Sequence, residues 1–140
     1  MESPESLESL KESTWGSPMA GFKKFEDIIA WQKARSAVQL VYKISFAGPF
    51  ATDYALRDQV RRSSISVMSN IAEGYGRRSD KEFATFLNFA HGSISETQSH
   101  LYVACDLGYI DDATFSQIYN QLDEVSRMIM KLSQHLRTKV

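Results

Sequence analysis

Apolar residues recur every three or four positions along most of the chain, the spacing that gathers them on one face of an α-helix. From Phe25 onward Ile28, Trp31, Ala34, Val38 and Val41 share such a face, predicting a first helix that fades near Ser45. Gly48-Pro49 then breaks it, because proline cannot continue a helix and disfavours helical geometry at the residue before it. A second helix is expected to start at Thr52, an N-cap type, with Asp53 in the first turn where a negative charge is favourable. Leu56, Val60, Val67 and Ile71 form its apolar face, flanked by Ile65, Met68 and Ala72. Gly74 and Gly76 are expected to end it through the left-handed conformation that glycine readily adopts.

Ser79-Asp80-Lys81-Glu82 reads as a capping box, in which serine and glutamate side chains each satisfy a free amide of the first turn. Phe83, Leu87, Ala90, Ile94, Thr97, Leu101 and Ala104 follow in alternating steps of four and three, until Gly108 stops the third helix. Asp111 or Asp112 then caps a fourth, with Phe115, Ile118, Leu122, Val125, Ile129, Leu132 and Leu136 in steps of three and four. Steps averaging about 3.5 residues pack helices nearly parallel, at about 20°. The last three helices are joined by short connections, which favour antiparallel neighbours. The expected fold is therefore all-α, an antiparallel up-down-up-down four-helix bundle spanning residues 23–140.

Residues 1–22 break the pattern. They are rich in Ser, Glu, Gly and Pro with isolated apolar residues, and cannot bury enough surface to offset the entropy of ordering them. They read as a flexible acidic leader, although Leu7, Leu10 and Trp15 offer apolar side chains to a partner. The leader carries Glu2, Glu5, Glu8 and Glu12 against Lys11, so residues 21–140 hold 15 basic and 13 acidic side chains. That surplus is too small to imply nucleic-acid binding from bulk charge, and any basic patch must be local. A single cysteine, Cys105, excludes an internal disulfide and suits a reducing compartment. No apolar run approaches the ~20 residues that span a bilayer, and no secretory signal is visible, so a cytoplasmic protein without membrane contact is expected.

Catalytic and metal signals are poor. His91, His100 and His135 show no ligand spacing with Cys105 or with a Glu-x-x-His carboxylate, and no cofactor is expected. Gly74-Tyr75-Gly76 follows a helix rather than joining strand to helix, so it does not make a phosphate loop. Nothing supplies a positioned base or nucleophile, and the chain reads as no enzyme.

Two features remain unexplained by a plain bundle. At 100° per residue, Arg62, Ser66, Asn70, Glu73 and Arg77 fall within an arc of about 80°, nearly opposite the apolar face of the second helix. The stripe is either a solvated surface with pairs such as Glu73–Arg77, or a second contact made between subunits. Gly92-Ser93 interrupts the third helix at a cost of up to ~1 kcal/mol relative to alanine. It is either tolerated there or permits close approach to the small residues Ser63, Ser64, Ser66 and Ala72, with Glu96 reaching arginines of the second helix. Separately, Arg57, Arg61, Arg77, Arg78 and Lys81, with Tyr75 among them, make a candidate RNA-binding cluster of phosphate donors and a stacking ring.

Ser69-Asn70-Ile71-Ala72-Glu73-Gly74-Tyr75-Gly76-Arg77 resembles the central signature of the bacterial four helix bundle protein family, whose members include proteins encoded in intervening sequences of 23S ribosomal RNA genes. Phe25 to Ala34 with Trp31-Gln32, Gln59 with Arg61-Arg62, Glu82-Phe83, Phe86-Leu87, Ala90, Gly92-Ser93, Glu96 and Leu101 extend the similarity over roughly residues 23–136. The resemblance implies an up-down-up-down bundle associating as a homopentamer, without enzymatic activity, acting as a scaffold or an RNA-associated accessory. Arg62, Asn70, Glu73, Arg77 and Glu96 would then form a polar structural or interface network. A related branch, the accessory variability determinant of diversity-generating retroelements, works with a reverse transcriptase and its template RNA. Two features depart from these patterns: Val67-Met68 stands where the family often has Ile-Pro, and this core is far less basic than those determinants.

Overall fold

The computed structural model describes residues 21–138. A short 3-10 turn, Phe25–Asp27, leads into α1 (Ile29–Ile44), followed by the one-turn α2 (Gly48–Thr52). Three long helices complete the described chain: α3 (Tyr54–Tyr75), α4 (Asp80–Asp106) and α5 (Asp112–Thr138). No strand occurs among the described residues. The leader expected over residues 1–22 lies outside the described residues as far as residue 20, whereas Phe22 is buried and its carbonyl accepts a hydrogen bond from the Tyr75 hydroxyl.

The predicted apolar faces are the faces that close the core. Leu56, Val60, Val67 and Ile71 of α3 are buried, as are all seven residues of the α4 repeat from Phe83 to Ala104. Ile118 to Leu136 of the α5 repeat are buried with them, while Phe115 is half-buried at the helix start. On α1 the buried set is Ala30, Trp31, Ala34, Ala37 and Val41, with Val38 only partly covered. Helix α1 packs on α3 and α5, and α4 packs on the same two, so four long helices share one core. Each large apolar side chain fully buried there contributes about 1.5–3 kcal/mol.

The helix ends show which local signals act. Ser79 Oγ accepts from the Glu82 amide at 3.1 Å, the serine half of the expected capping box. The Glu82 carboxylate turns instead toward Arg77, 4.0 Å away. Asp111 caps α5, its Oδ1 accepting from the Thr114 amide at 2.8 Å. Hydrogen bonds from Thr114 hold the Asp111 carboxyl below its ordinary range. Helix α3 is capped by Asp53, not Thr52: Asp53 Oδ1 accepts from Leu56 N at 3.2 Å. Thr52 closes α2, a turn that begins at Gly48 with φ +69° and places Pro49 where its missing amide costs nothing. Helix α1 has already ended at Ile44, with Ser45 as its cap, and Gly48-Pro49 starts a new turn, which buries Phe50 against Tyr109 at 5.1 Å between ring centres. Gly108, at φ +77°, ends α4 as expected. Gly76 follows α3 with φ −75°, in the right-handed region, so the left-handed cap expected there does not form.

Helices α3 and α4 meet along a seam of small polar residues. Ser93 Oγ donates to Ser66 Oγ at 2.9 Å, and Thr97 Oγ1 lies 2.7 Å from Ser63 Oγ. Gly74 then meets Phe86 and Phe83. Partners therefore run in opposite order along the two helices. The same holds between α4 and α5, where His91 faces Ser126 and Gln98 faces Tyr119.

Candidate functional site

The polar stripe of the second predicted helix lies on α3, and its members do not join into one network within the chain. Asn70 Nδ2 donates to the Ser66 carbonyl at 2.8 Å and to Ser66 Oγ at 3.0 Å, both on its own helix. Arg77 forms a second group: its Nη2 is 2.9 Å from Glu73 Oε2, and its guanidinium lies 4.7 Å over the Phe86 ring. Both partners of that ion pair are about half exposed, so it contributes only ~0.3–0.5 kcal/mol. Glu96 makes the third, 3.5 Å from His100 Nε2, a contact that is ionic only when the imidazole is protonated. The 3.5 Å separation does not give that buried nitrogen a hydrogen bond. Arg62 is exposed and makes no ion pair among the described residues. The expected reach of Glu96 to arginines of α3 is not made.

These residues nevertheless share a face. Arg62, Ser66, Asn70 and Glu73 step by four and three along α3, as do Phe89, Ser93, Glu96 and His100 along α4. The Ser66–Ser93 contact joins the two rows at their middle. Phe89, 53% exposed, and Val103, 42% exposed, add apolar area to the α4 side. Gly92 points outward here, and a methyl group added to it would meet nothing within 4 Å. Close packing inside the bundle is therefore not its role. Ser93 serves that packing, and so does Gly74, where a Cβ would come 2.7 Å from Phe86 Cβ. The signal for Gly74 was present in the sequence: it continues the repeat of Val67 and Ile71 on the core face.

The candidate RNA-binding cluster separates into two groups. Sixteen positions part Arg61 from Arg77, about 24 Å along a helix at 1.5 Å per residue. Arg77, Arg78 and Lys81 stand exposed around the connection from α3 to α4. Tyr75 is no stacking platform, since its half-buried ring is packed edge-on against Phe22 and Phe83. Arg57 and Arg61 belong to the other end, where α1 and α3 carry aromatic residues that no local pattern announced. Arg61 donates to Ser45 Oγ and the Ser45 carbonyl at 2.8 and 3.0 Å, with its guanidinium 4.5 Å over Tyr42. Arg57 pairs with Asp58 at 3.0 Å and lies 4.8 Å over Tyr54.

No group of three metal-binding side chains occurs among the described residues. His91 Nδ1 sits 2.7 Å from Ser126 Oγ in the α4–α5 seam. Burial pushes the Cys105 thiol up, and the hydrogen bond to Asp112 adds to the shift, so the thiol stays protonated and weakly nucleophilic. No described helix is long and apolar enough to cross a membrane.

Fold and surfaces together define a helical bundle with an ion-paired, glycine-bearing outer face. Residues 26–131 match the family model of the 23S rRNA-intervening sequence protein, and the chain belongs to that family. A crystal structure of a protein of unknown function from the S23 ribosomal protein family of Bacteroides thetaiotaomicron has the same fold, with a TM-score of 0.68 at 24% identity. The similarity covers 75% of this chain and 98% of that one. No curated protein matches the chain.

Proposed function

We propose that this chain is a non-enzymatic up-down-up-down bundle that assembles with copies of itself as a pentameric ring and serves as a scaffold or RNA-associated accessory. The opposite order of partners along α3 and α4, and along α4 and α5, supports the topology. The observation that carries the assembly is the outer α3–α4 face, where Phe89 and Val103 stand exposed beside Glu73, Glu96 and an open Gly92. A mid-helix glycine costs up to ~1 kcal/mol relative to alanine, a cost that close approach of a neighbouring helix would offset. A ring joins two different faces. The α4–α5 side supplies exposed apolar surface at Tyr102, which packs on Phe115 with ring centres 4.8 Å apart. Ring closure would also repeat Arg77, Arg78 and Lys81 around one end, giving RNA a continuous basic belt that a single copy lacks.

Two surface variants test this. Phe89→Glu places a charge on the face, and Gly92→Arg fills the space above the helix. Both side chains point outward, so helical circular dichroism should stay as in the wild type while sedimentation velocity reports a smaller species. If both variants keep the wild-type mass, the face is not the interface.

A further inference from the structure

We propose that the α1–α3 face bearing Tyr42, Phe46, Tyr54 and Arg61 binds the acidic N-terminal segment of its own chain, around Glu5 to Glu12. The face combines uncompensated positive charge with exposed aromatic rings. Arg57 is neutralised by Asp58. Arg61 is held by the neutral Ser45 hydroxyl and carbonyl, and neither it nor the adjacent Arg62 makes an ion pair among the described residues. Phe46 is 79% exposed and Tyr54 61% exposed. Two shallow depressions adjoin here, one walled by Tyr54 and the other by Tyr42 and Ile65, with Asp58 and Arg62 shared between them.

A ligand for such a face needs carboxylates to meet the guanidinium groups and apolar side chains to cover the rings. The segment outside the described residues has both in its sequence. Glu5, Glu8 and Glu12 alternate with Leu7 and Leu10, and Trp15 follows. Reach is sufficient. The chain joins the bundle at Phe22, beside Tyr75 at the end of α3. Arg62 lies thirteen residues before Tyr75, about 20 Å along the helix, and Tyr54 about 32 Å. Twelve residues separate Leu10 from Phe22 and extend to about 40 Å. Tethering makes the contact intramolecular, at an effective concentration on the order of millimolar, so individually weak exposed ion pairs suffice. Tyr42, Phe46 and Tyr54 are not among the residues of the Glu73–Phe89 face, which Arg62 borders from the same row of α3, and the contact is made within one chain whether or not that chain assembles.

The test uses the full chain carrying Ser9→Cys and Cys105→Ser, with a benzophenone attached at position 9 and photo-crosslinks mapped by peptide mass. Crosslinks should fall on peptides containing Tyr42, Phe46, Tyr54 or Arg62. In mixtures of isotopically light and heavy chains they should join only chains of the same label. The triple change Glu5→Gln, Glu8→Gln and Glu12→Gln should remove most of them, as should Phe46→Ser with Tyr54→Ser. Raising salt to about 1 M, where the screening length falls to ~3 Å, should cut the yield roughly fivefold. Crosslinks on α4 or α5, crosslinks between light and heavy chains, or a yield indifferent to the glutamates would each overturn the proposal. So would single-stranded oligouridylate binding this face equally well in the wild type and the triple variant, because the face would then stand open to RNA. Mass measurements on the same samples show whether assembly is intact, so failure of one proposal is not mistaken for failure of the other.

Discussion

A methyl group added at Gly74 would sit 2.7 Å from Phe86 Cβ and 3.0 Å from Phe83 Cδ1, and both neighbours are packed helical side chains. Gly74→Ala should therefore destabilise the fold by about 1–3 kcal/mol through overpacking. The loss should appear as a lower urea midpoint, and an unchanged midpoint would refute the packing role. At Gly92 the opposite holds, since nothing lies within 4 Å of the added carbon. Gly92→Ala should stabilise the dissociated chain by up to ~1 kcal/mol through helix propensity, read as a higher urea midpoint. The same change should weaken self-association. If alanine there both stabilises the chain and leaves its assembly untouched, Gly92 has no role outside the bundle.

At the scale of elements, Asp53 ties three together: its Oδ1 caps α3, and its Oδ2 accepts from the Tyr109 hydroxyl at 2.8 Å, beside the α2 residue Phe50. The hydrogen bond to Asp53 raises the Tyr109 phenol above its ordinary value near 10, with burial and the Asp53 charge adding to the shift. A raised value means that the neutral phenol is the form the fold favours. Its contribution is complete below pH ~10 and is lost as pH rises through the higher folded value. Asp53→Asn should move Tyr109 ionisation to lower pH, read from phenolate absorbance against a Tyr109→Phe control. An unshifted titration would mean that Asp53 does not set it. This junction also shows where sequence reasoning runs out. The core faces of α3, α4 and α5 were legible because burial repeats every three or four residues. Thr52 and Asp53 are both N-cap types, and the choice between them follows from Tyr109, 56 residues away. The α3 stripe was legible as a stripe. Its pairing was not, because whether Glu96 turns to His100 or to an arginine depends on rotamers rather than spacing. The aromatic face was invisible for a related reason: Tyr42 of α1 meets Arg61 of α3 across the unforeseen turn of α2, a contact between helices that spacing along the chain does not show.

For the whole molecule, the described chain closes one core and leaves two chemically distinct outer faces. One pairs glutamates and arginine with exposed Phe89 beside an open glycine, and the other pairs arginines with exposed tyrosines. No group of three metal ligands occurs among the described residues, and Cys105, His91 and His100 each sit against a hydroxyl or carboxylate neighbour. On the proposed reading the bundle acts through what it touches, and self-association is the first contact to establish. Native mass spectrometry of the wild-type chain across micromolar concentrations tests it most directly. The account predicts a closed assembly at about five times the 15.9 kDa chain mass. A single species at 15.9 kDa throughout that range would contradict it.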